Sequence, residues 1–179
     1  MVAVLGAGGH GVDIAAICDG ELFDDEPLTG YPPCGDAVGE YLIGVHDPVV
    51  KRRMERNGPA AIAVHPDTSI DKNSALSPGV VVAAGVRIGP GCFLGRHVHV
   101  GANVSMTRCY VGAYTSISPG ATIAGDVTIG ESVTIGAGAT ICNLATIARG
   151  AVVGAGAVVL PGQVVNAGTT VVGVPARPL

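Results

Sequence analysis

Tryptophan is absent from this chain of 179 residues, and phenylalanine and tyrosine contribute only 2 and 4. A core without large rings has to be built from Val, Ile, Leu and Ala, so its layers must be thin and regular. Charge is scarce as well: 13% of residues are Asp, Glu, Lys or Arg, against 48% apolar. Disordered chains show the opposite balance, which argues against disorder. There is no dense Lys/Arg block, and the formal net charge is −4. A nucleic-acid partner needs a basic face to neutralise phosphates, so that class is set aside. No apolar run reaches the ~18 residues of a membrane span, because Gly or polar residues interrupt each one. The opening residues lack the charged n-region and the length of a secretory signal. The cysteines Cys18, Cys34, Cys92, Cys109 and Cys142 contain no CxxC pair and are odd in number, which argues against a disulfide framework or a zinc ribbon. They read as small core residues of a reduced, cytoplasmic protein.

What is abundant is glycine, 28 residues, well above the usual ~7%, and it is periodic. Stepping by six from Val64 meets Ile70, Leu76, Val82, Ile88, Leu94 and Val100. Stepping by six from Val111 meets Ile117, Ile123, Ile129, Ile135, Ile141, Ile147, Val153, Val159 and Val165. Four places after each aliphatic stands a small or β-branched residue such as Val86, Cys92, Ala121 or Ala145, with Gln163 the exception. A short strand that points one aliphatic chain inward, followed by a Gly or polar bend, closes a triangular coil every roughly eighteen residues. A β-sandwich would instead alternate with period two between turns. The hexads therefore predict a left-handed parallel β-helix, a mainly β fold. The register breaks once, because Val100 and Val111 are eleven residues apart rather than twelve. The disturbed segment, residues 104–110, is where function is expected.

Residues 1–60 precede the hexads and predict a small α/β, truncated Rossmann-like domain, with the β-helix over 61–179. Val2 to Leu5 reads as a buried strand, and Gly6-Ala7-Gly8-Gly9-His10-Gly11 as a turn into a helix over 12–17. Such a turn presents backbone N–H groups suited to a phosphate or pyrophosphate. A full dinucleotide fold needs about 150 residues, so NAD binding is not expected. Phe23-Asp24-Asp25 places two carboxylates where they could accept hydrogen bonds from a ribose or base. Residues 41–45 read as a strand and 48–57 as a basic helix whose Lys51, Arg52, Arg53 and Arg56 form a solvated face.

The Gly-Gly-His-Gly turn, the Asp-Asp pair, His65-Pro66 leading into hexads and the ending Gly173-Val174-Pro175-Ala176-Arg177 together resemble one family. It is the sugar O- and N-acetyltransferases of the left-handed β-helix class, similar to sialic acid O-acetyltransferase and the bacillosamine-pathway nucleotide-sugar N-acetyltransferase. The similarity spans essentially the whole chain, although the stretch between the first helix and Phe23 is short. The resemblance implies a homotrimer with active sites between neighbouring β-helices, acetyl-CoA as co-substrate and a sugar or nucleotide-sugar acceptor. It places Gly8, Gly9, His10 and Gly11 on the diphosphate and Asp24 and Asp25 on the nucleoside. Backbone at Gly125, Gly136, Ala137, Gly154 and Ala155 would flank the pantetheine arm, where only small side chains permit the approach, and Arg177 would lie near the CoA end.

One departure bears on mechanism. Acyl transfer to an amine or hydroxyl needs a base, and the family supplies a His followed by an acid that orients it. At those positions stand Thr107 and Arg108, and a second site histidine, nine residues on, is Ser116. A Thr hydroxyl is too weak a base and Arg stays protonated. Three readings are open. His97 or His99 could serve instead; the enzyme could work slowly by positioning and oxyanion stabilisation; or the chain could be a repurposed binding or assembly trimer. A zinc-dependent β-helix protein is a further alternative, with His65, His97 and His99 as its ligands if 97–99 is extended. No metal is expected on the acetyltransferase reading.

Overall fold

A computed structural model describes residues 2–6, 15, 21–23, 40–45, 47–54 and 59–179. From Ala63 onward the hexads fold into short strands joined by corners, and successive strands fall in turn on three parallel sheets. The first face carries Ala63–Val64, Val81–Val82, His99–Val100, Ser116–Ile117, Thr134–Ile135, Val152–Val153 and Thr170–Val172. The second runs from Ser69–Ile70 to Val158–Val159 and the third from Ala75–Leu76 to Val164–Val165. Together they form the left-handed β-helix that the hexads predict. The aliphatic of each step points inward, and Leu94, Ile117, Ile129, Ile135, Ile141 and Val153 are 0% exposed. Burial of each such side chain stabilises by roughly 1.5–3 kcal/mol. The small residues two places earlier fill the corners from inside, so Ala121, Ala139, Ala145 and Ala151 are buried too.

Gln163, the exception to that rule, has its own task. Its Oε1 accepts from Leu160 N at 2.9 Å and its Nε2 donates to Ala176 O at 3.0 Å, tying down the C-terminal segment. That segment turns back so that Arg177–Pro178 pairs antiparallel with Thr170–Val172.

The break in the repeat is a shortened corner between the second and third faces. His99 stands opposite Val81, eighteen residues earlier, but opposite Ser116, only seventeen later. Tyr110 is likewise seventeen residues from its partner Phe93. A second periodicity follows the same rule. One residue in each corner takes a left-handed φ, from Gly79 to Gly168, and these recur every six residues except for the step of five from Asn103 to Arg108.

Ahead of the β-helix lie strands β1 (Val2–Leu5), β2 (Glu21–Phe23) and β3 (Glu40–Ile43), forming a parallel sheet in the order β2-β1-β3. Helix α1 (Pro48–Met54) follows. It starts with Pro at its first position and with Asp47 Oδ1 accepting from Val50 N at 3.0 Å. Val4 and Leu42 pack with Ala61, Ala63 and Val81 of the β-helix in one cluster. Ala61 N donates to Tyr41 O at 2.9 Å, so the small sheet runs directly into the first coil. The glycine-rich turn at 6–11 beyond Gly6 and the acidic pair lie outside the described residues; of the helix expected over 12–17, Ala15 is described and is helical. No helix among the described residues is long and apolar enough to cross a membrane.

Candidate active site

Thr107 and Arg108 make up the shortened corner. Thr107 is half-buried, and its side chain fills the space above Gly89, where a Cβ would meet its hydroxyl. Arg108 is exposed and has φ of 41°. A left-handed φ at a non-glycine residue costs of order 1 kcal/mol; Arg108 bears it because it holds the place that takes this conformation in each corner from Gly79 to Gly168. Its Nε donates to Asp126 Oδ1 at 3.4 Å, and its guanidinium lies over Gly125, leaving no room there for a side chain. Beside it runs a groove lined by Gly91, Phe93, Arg108, Tyr110, Asp126 and Thr128. The exposed Phe93 and Tyr110 rings stack at 5.3 Å between centroids, 6° from parallel.

Ser116 lies on another side of the triangle, on the first face beneath α1, and is buried. Its Oγ accepts a 2.6 Å hydrogen bond from Lys51 Nζ, which also donates to the carbonyls of Thr115 at 3.3 Å and His97 at 3.4 Å. Lys51 is 0% exposed. Burial pushes its pKa well below the usual 10.5, and the charge of Asp47 opposes that shift. The expectation of a solvated cationic face over 48–57 is thus corrected at Lys51. Docking of α1 on the β-helix points this side chain inward, where three oxygens receive it. Arg52 remains at the surface, with Nη2 donating to Glu131 Oε2 at 3.2 Å and Ser132 Oγ at 3.3 Å, and its guanidinium 4.7 Å from the Tyr114 ring centre.

His97 and His99 are both buried. The His97 ring stacks between Tyr41, at 5.9 Å, and Tyr114, at 5.7 Å, in space left free by Gly79. The extended 97–99 segment that a shared metal face requires is not formed, because His97 is the left-handed corner residue with φ 53°. His99 is on the first face, beside Ser116 on the next coil. His65 accepts at Nδ1 from Asp67 N at 3.0 Å. Among the described residues no group of three His, Cys, Asp or Glu is placed to hold a metal.

The residues proposed for the pantetheine arm divide. Gly136, Ala137, Gly154 and Ala155 form one column at the corner between the first and second faces, on successive coils. Gly125 sits at the next corner, above Arg108. A Cβ on Gly136 would run into the backbone of Gly154 and Ala155, whereas Ala137 and Ala155 face outward and are exposed. Arg177 is exposed, and its Nη1 donates to Ala176 O at 3.1 Å. Gly8, Gly9, His10, Gly11, Asp24 and Asp25 lie outside the described residues. Sequence reasoning missed Lys51, Tyr41 and Tyr114. The signal that could have found the cluster is the left-handed series itself: Gly79, Gly85 and Gly91 recur at six, and the next places are His97, Asn103, Arg108 and Tyr114.

Residues 108–143 match the family described as bacterial transferase hexapeptide (six repeats). No curated protein matches the sequence significantly. The acetyltransferase domain of PglB from Neisseria gonorrhoeae FA1090 superposes with a TM-score of 0.90 at 28% identity, over 99% of this chain and 98% of that one. A variant of perosamine N-acetyltransferase from Caulobacter crescentus, solved with CoA and GDP-perosamine, gives a TM-score of 0.89 at 24% identity, over 99% and 96%. WeeI from Acinetobacter baumannii AYE gives 0.85 at 24%, over 100% and 99%. Along its whole length the chain shares the fold of these structures and resembles the acetyltransferase domain of PglB.

Proposed function

We propose that this hexapeptide-repeat chain is an acetyltransferase that moves the acetyl group of acetyl-CoA to an amino or hydroxyl group of a nucleotide-activated sugar. The observation that carries the reading is the whole-length likeness to the acetyltransferase domain of PglB, which extends through the N-terminal segment as well as the coils. That domain has also been solved in complex with acetyl coenzyme A. On this reading residues 1–60 bind the nucleotide-sugar, through Gly8, Gly9, His10, Gly11, Asp24 and Asp25, and residues 61–179 carry the acetyl donor. The corner column of Gly136, Ala137, Gly154 and Ala155 presents only backbone and methyl groups, and the space outside Gly138 and Gly156 is open, which suits a thin pantetheine arm.

The site residues lie on different corners of the triangle, with Thr107 and Arg108 on one, the glycine column on another and Ser116 on a face. Such a scatter favours a site assembled between neighbouring chains of a homotrimer. The nucleophile attacks the thioester carbonyl, the C–S bond breaks, and the nucleophile's proton ends on the sulfur of the departing CoA. His97 and His99 are enclosed on the side facing the N-terminal segment, so the reading favoured here is transfer without an imidazole base. Positioning then dominates, and Arg108 or backbone N–H groups stabilise the oxyanion. Loss of general-base help costs about 10²–10⁴-fold, which leaves a measurable rate.

Calorimetric titration with acetyl-CoA, then with UDP- and GDP-sugars, tests the reading. Micromolar acetyl-CoA binding is expected. Sugar-nucleotide binding without CoA binding would favour a repurposed binding trimer, the second reading, which the loss of both histidines supports. Thr107→His combined with Arg108→Asp should raise the transfer rate. No gain, with fold and CoA binding intact, would count against a simple loss of the base.

A further inference from the structure

We propose that Cys92 and Cys109 form a reversible dithiol–disulfide site that takes a hydroperoxide as its oxidant. Both belong to the inward corner column of the third face, Cys92 just before Phe93–Leu94 and Cys109 at the start of Cys109–Val111. Tyr110 pairs with Phe93, so the two cysteines are neighbours on adjacent coils. Their sulfurs are 3.6 Å apart, with the Cys109 thiol donating to Cys92 Sγ, and both are buried. Adjacent strands run about 4.8 Å apart, within the Cα separation of about 4.4–6.8 Å that a disulfide spans without backbone movement. The one-residue deletion lies between them, so seventeen residues separate the two and Cys109 takes the place in this column that an unbroken coil would give to residue 110.

The contact also sorts the two roles. The hydrogen bond from Cys109, with help from the Ser74 hydroxyl, pulls the Cys92 thiol below its ordinary range against the opposing effect of burial. The same contact, with burial, pushes Cys109 up. With Cys109 as donor and Cys92 as acceptor of the S–H···S contact, Cys92 is assigned as the attacking thiolate and Cys109 as the resolving thiol. Residues 91 and 109 border the groove beside Arg108, while both sulfurs lie in the core behind it. An oxidant of nearly the size of water suits this access. The Cys92 thiolate attacks one peroxide oxygen, the O–O bond breaks, and the other oxygen leaves as water or an alcohol after taking a proton. Cys109 sulfur then attacks the sulfenic sulfur of Cys92, the S–O bond breaks, and water leaves with the Cys109 proton. Two thiols and one hydroperoxide thus give a disulfide, one water or alcohol and one further water, and a small dithiol reverses the bridge by exchange.

The full chain is treated with graded hydrogen peroxide, alkylated with iodoacetamide under denaturing conditions, digested without reduction and mapped by mass spectrometry. The expected result is a cross-linked pair of peptides joining Cys92 to Cys109, lost on treatment with dithiothreitol. Full alkylation of both residues at a peroxide level that oxidises the half-buried Cys142 overturns the proposal, as does a bridge from either to any other cysteine. Cys109→Ala places at this corner the residue that Ala145 supplies two coils on. In that variant Cys92 should stop at a sulfenic acid that dimedone traps, and its absence under the same treatment counts against Cys92 as the attacking thiol. If the variant does not fold, the map of the unsubstituted chain decides alone.

Discussion

The coils above Ile135 and the coils around Tyr110 meet one geometric demand in opposite ways. Every corner needs a residue with left-handed φ. Above Ile135 the series reads Gly138, Leu144, Gly150, Gly156, Gly162 and Gly168, glycine at all places but one. Around the break it reads His97, Asn103, Arg108 and Tyr114, with no glycine at all. The upper coils take the conformation without strain except at Leu144, whereas the lower ones accept of order 1 kcal/mol at each residue. In exchange they fix a ring between two tyrosines, a guanidinium over Gly125 and a ring beneath Arg52. Strain around the break thus coincides with side chains held in specific contacts.

The largest effect should come from Lys51, which joins the strained coils to the N-terminal segment. Lys51→Ala leaves buried oxygens at His97, Thr115 and Ser116 without their donor and opens a cavity, and should destabilise by about 3 kcal/mol in urea unfolding. A change below about 1 kcal/mol would mean that α1 contributes little to the fold. The same residue sets a pH dependence. Burial lowers the Lys51 pKa in the folded state, so the unfolded chain binds that proton more tightly. Stability should therefore rise with pH between the lowered value and 10.5, and stay level at its minimum below the lowered value. Lys51→Met should flatten that slope, and identical pH profiles for the two proteins would refute it.

Next comes a test of the two kinds of glycine. Gly136→Ala drives a Cβ into the backbone of the next coil and should cost about 2–3 kcal/mol. Gly156→Ala has open space and only a left-handed φ of 66° to bear, so a loss of about 1 kcal/mol is expected. Equal losses at the two positions would show that φ, not stacking distance, governs both. Smaller still, and opposite in sign, Arg108→Gly should stabilise by about 0.5–1 kcal/mol through relief of strain, because its exposed pair with Asp126 contributes little. Under the proposed function it should also slow acetyl transfer. A loss of stability would place the Asp126 contact above the strain. Least of all, Arg52→Ala should cost under about 1 kcal/mol, mostly through the Tyr114 contact, with the Glu131 share vanishing in high salt.

The β-helix was readable in the sequence because its inward column is set by chemistry alone: a coil that narrow admits one aliphatic per side, so Ile117, Ile123 and Ile129 announce it. The break was readable for the same reason, since a missing residue shifts every later aliphatic by one. What the spacing does not carry is orientation between separate pieces. Lysine is almost never fully buried, and the inward turn of Lys51 depends on how α1 docks on a face built some 65 residues later. The pairing of His97 with His99 failed because period-two reasoning presumes extended backbone, and His97 occupies the left-handed corner place. Cys92 and Cys109 show no motif at all; they meet only because a coil shortened to seventeen residues stacks one on the other.

A stack of parallel coils has no length of its own, and each new coil offers a fresh template to whatever strand comes next. Here the returning tail ends the series. Arg177–Pro178 closes the first face, while Val158 of the second gives its N–H to Gly173 and receives that of Ala176. Two of three growing edges are thereby satisfied, and Pro178 has no N–H to pass on. Height in this molecule is accordingly set by where the tail turns back, so whole coils could be added or removed below it while the same tail closed the first two faces.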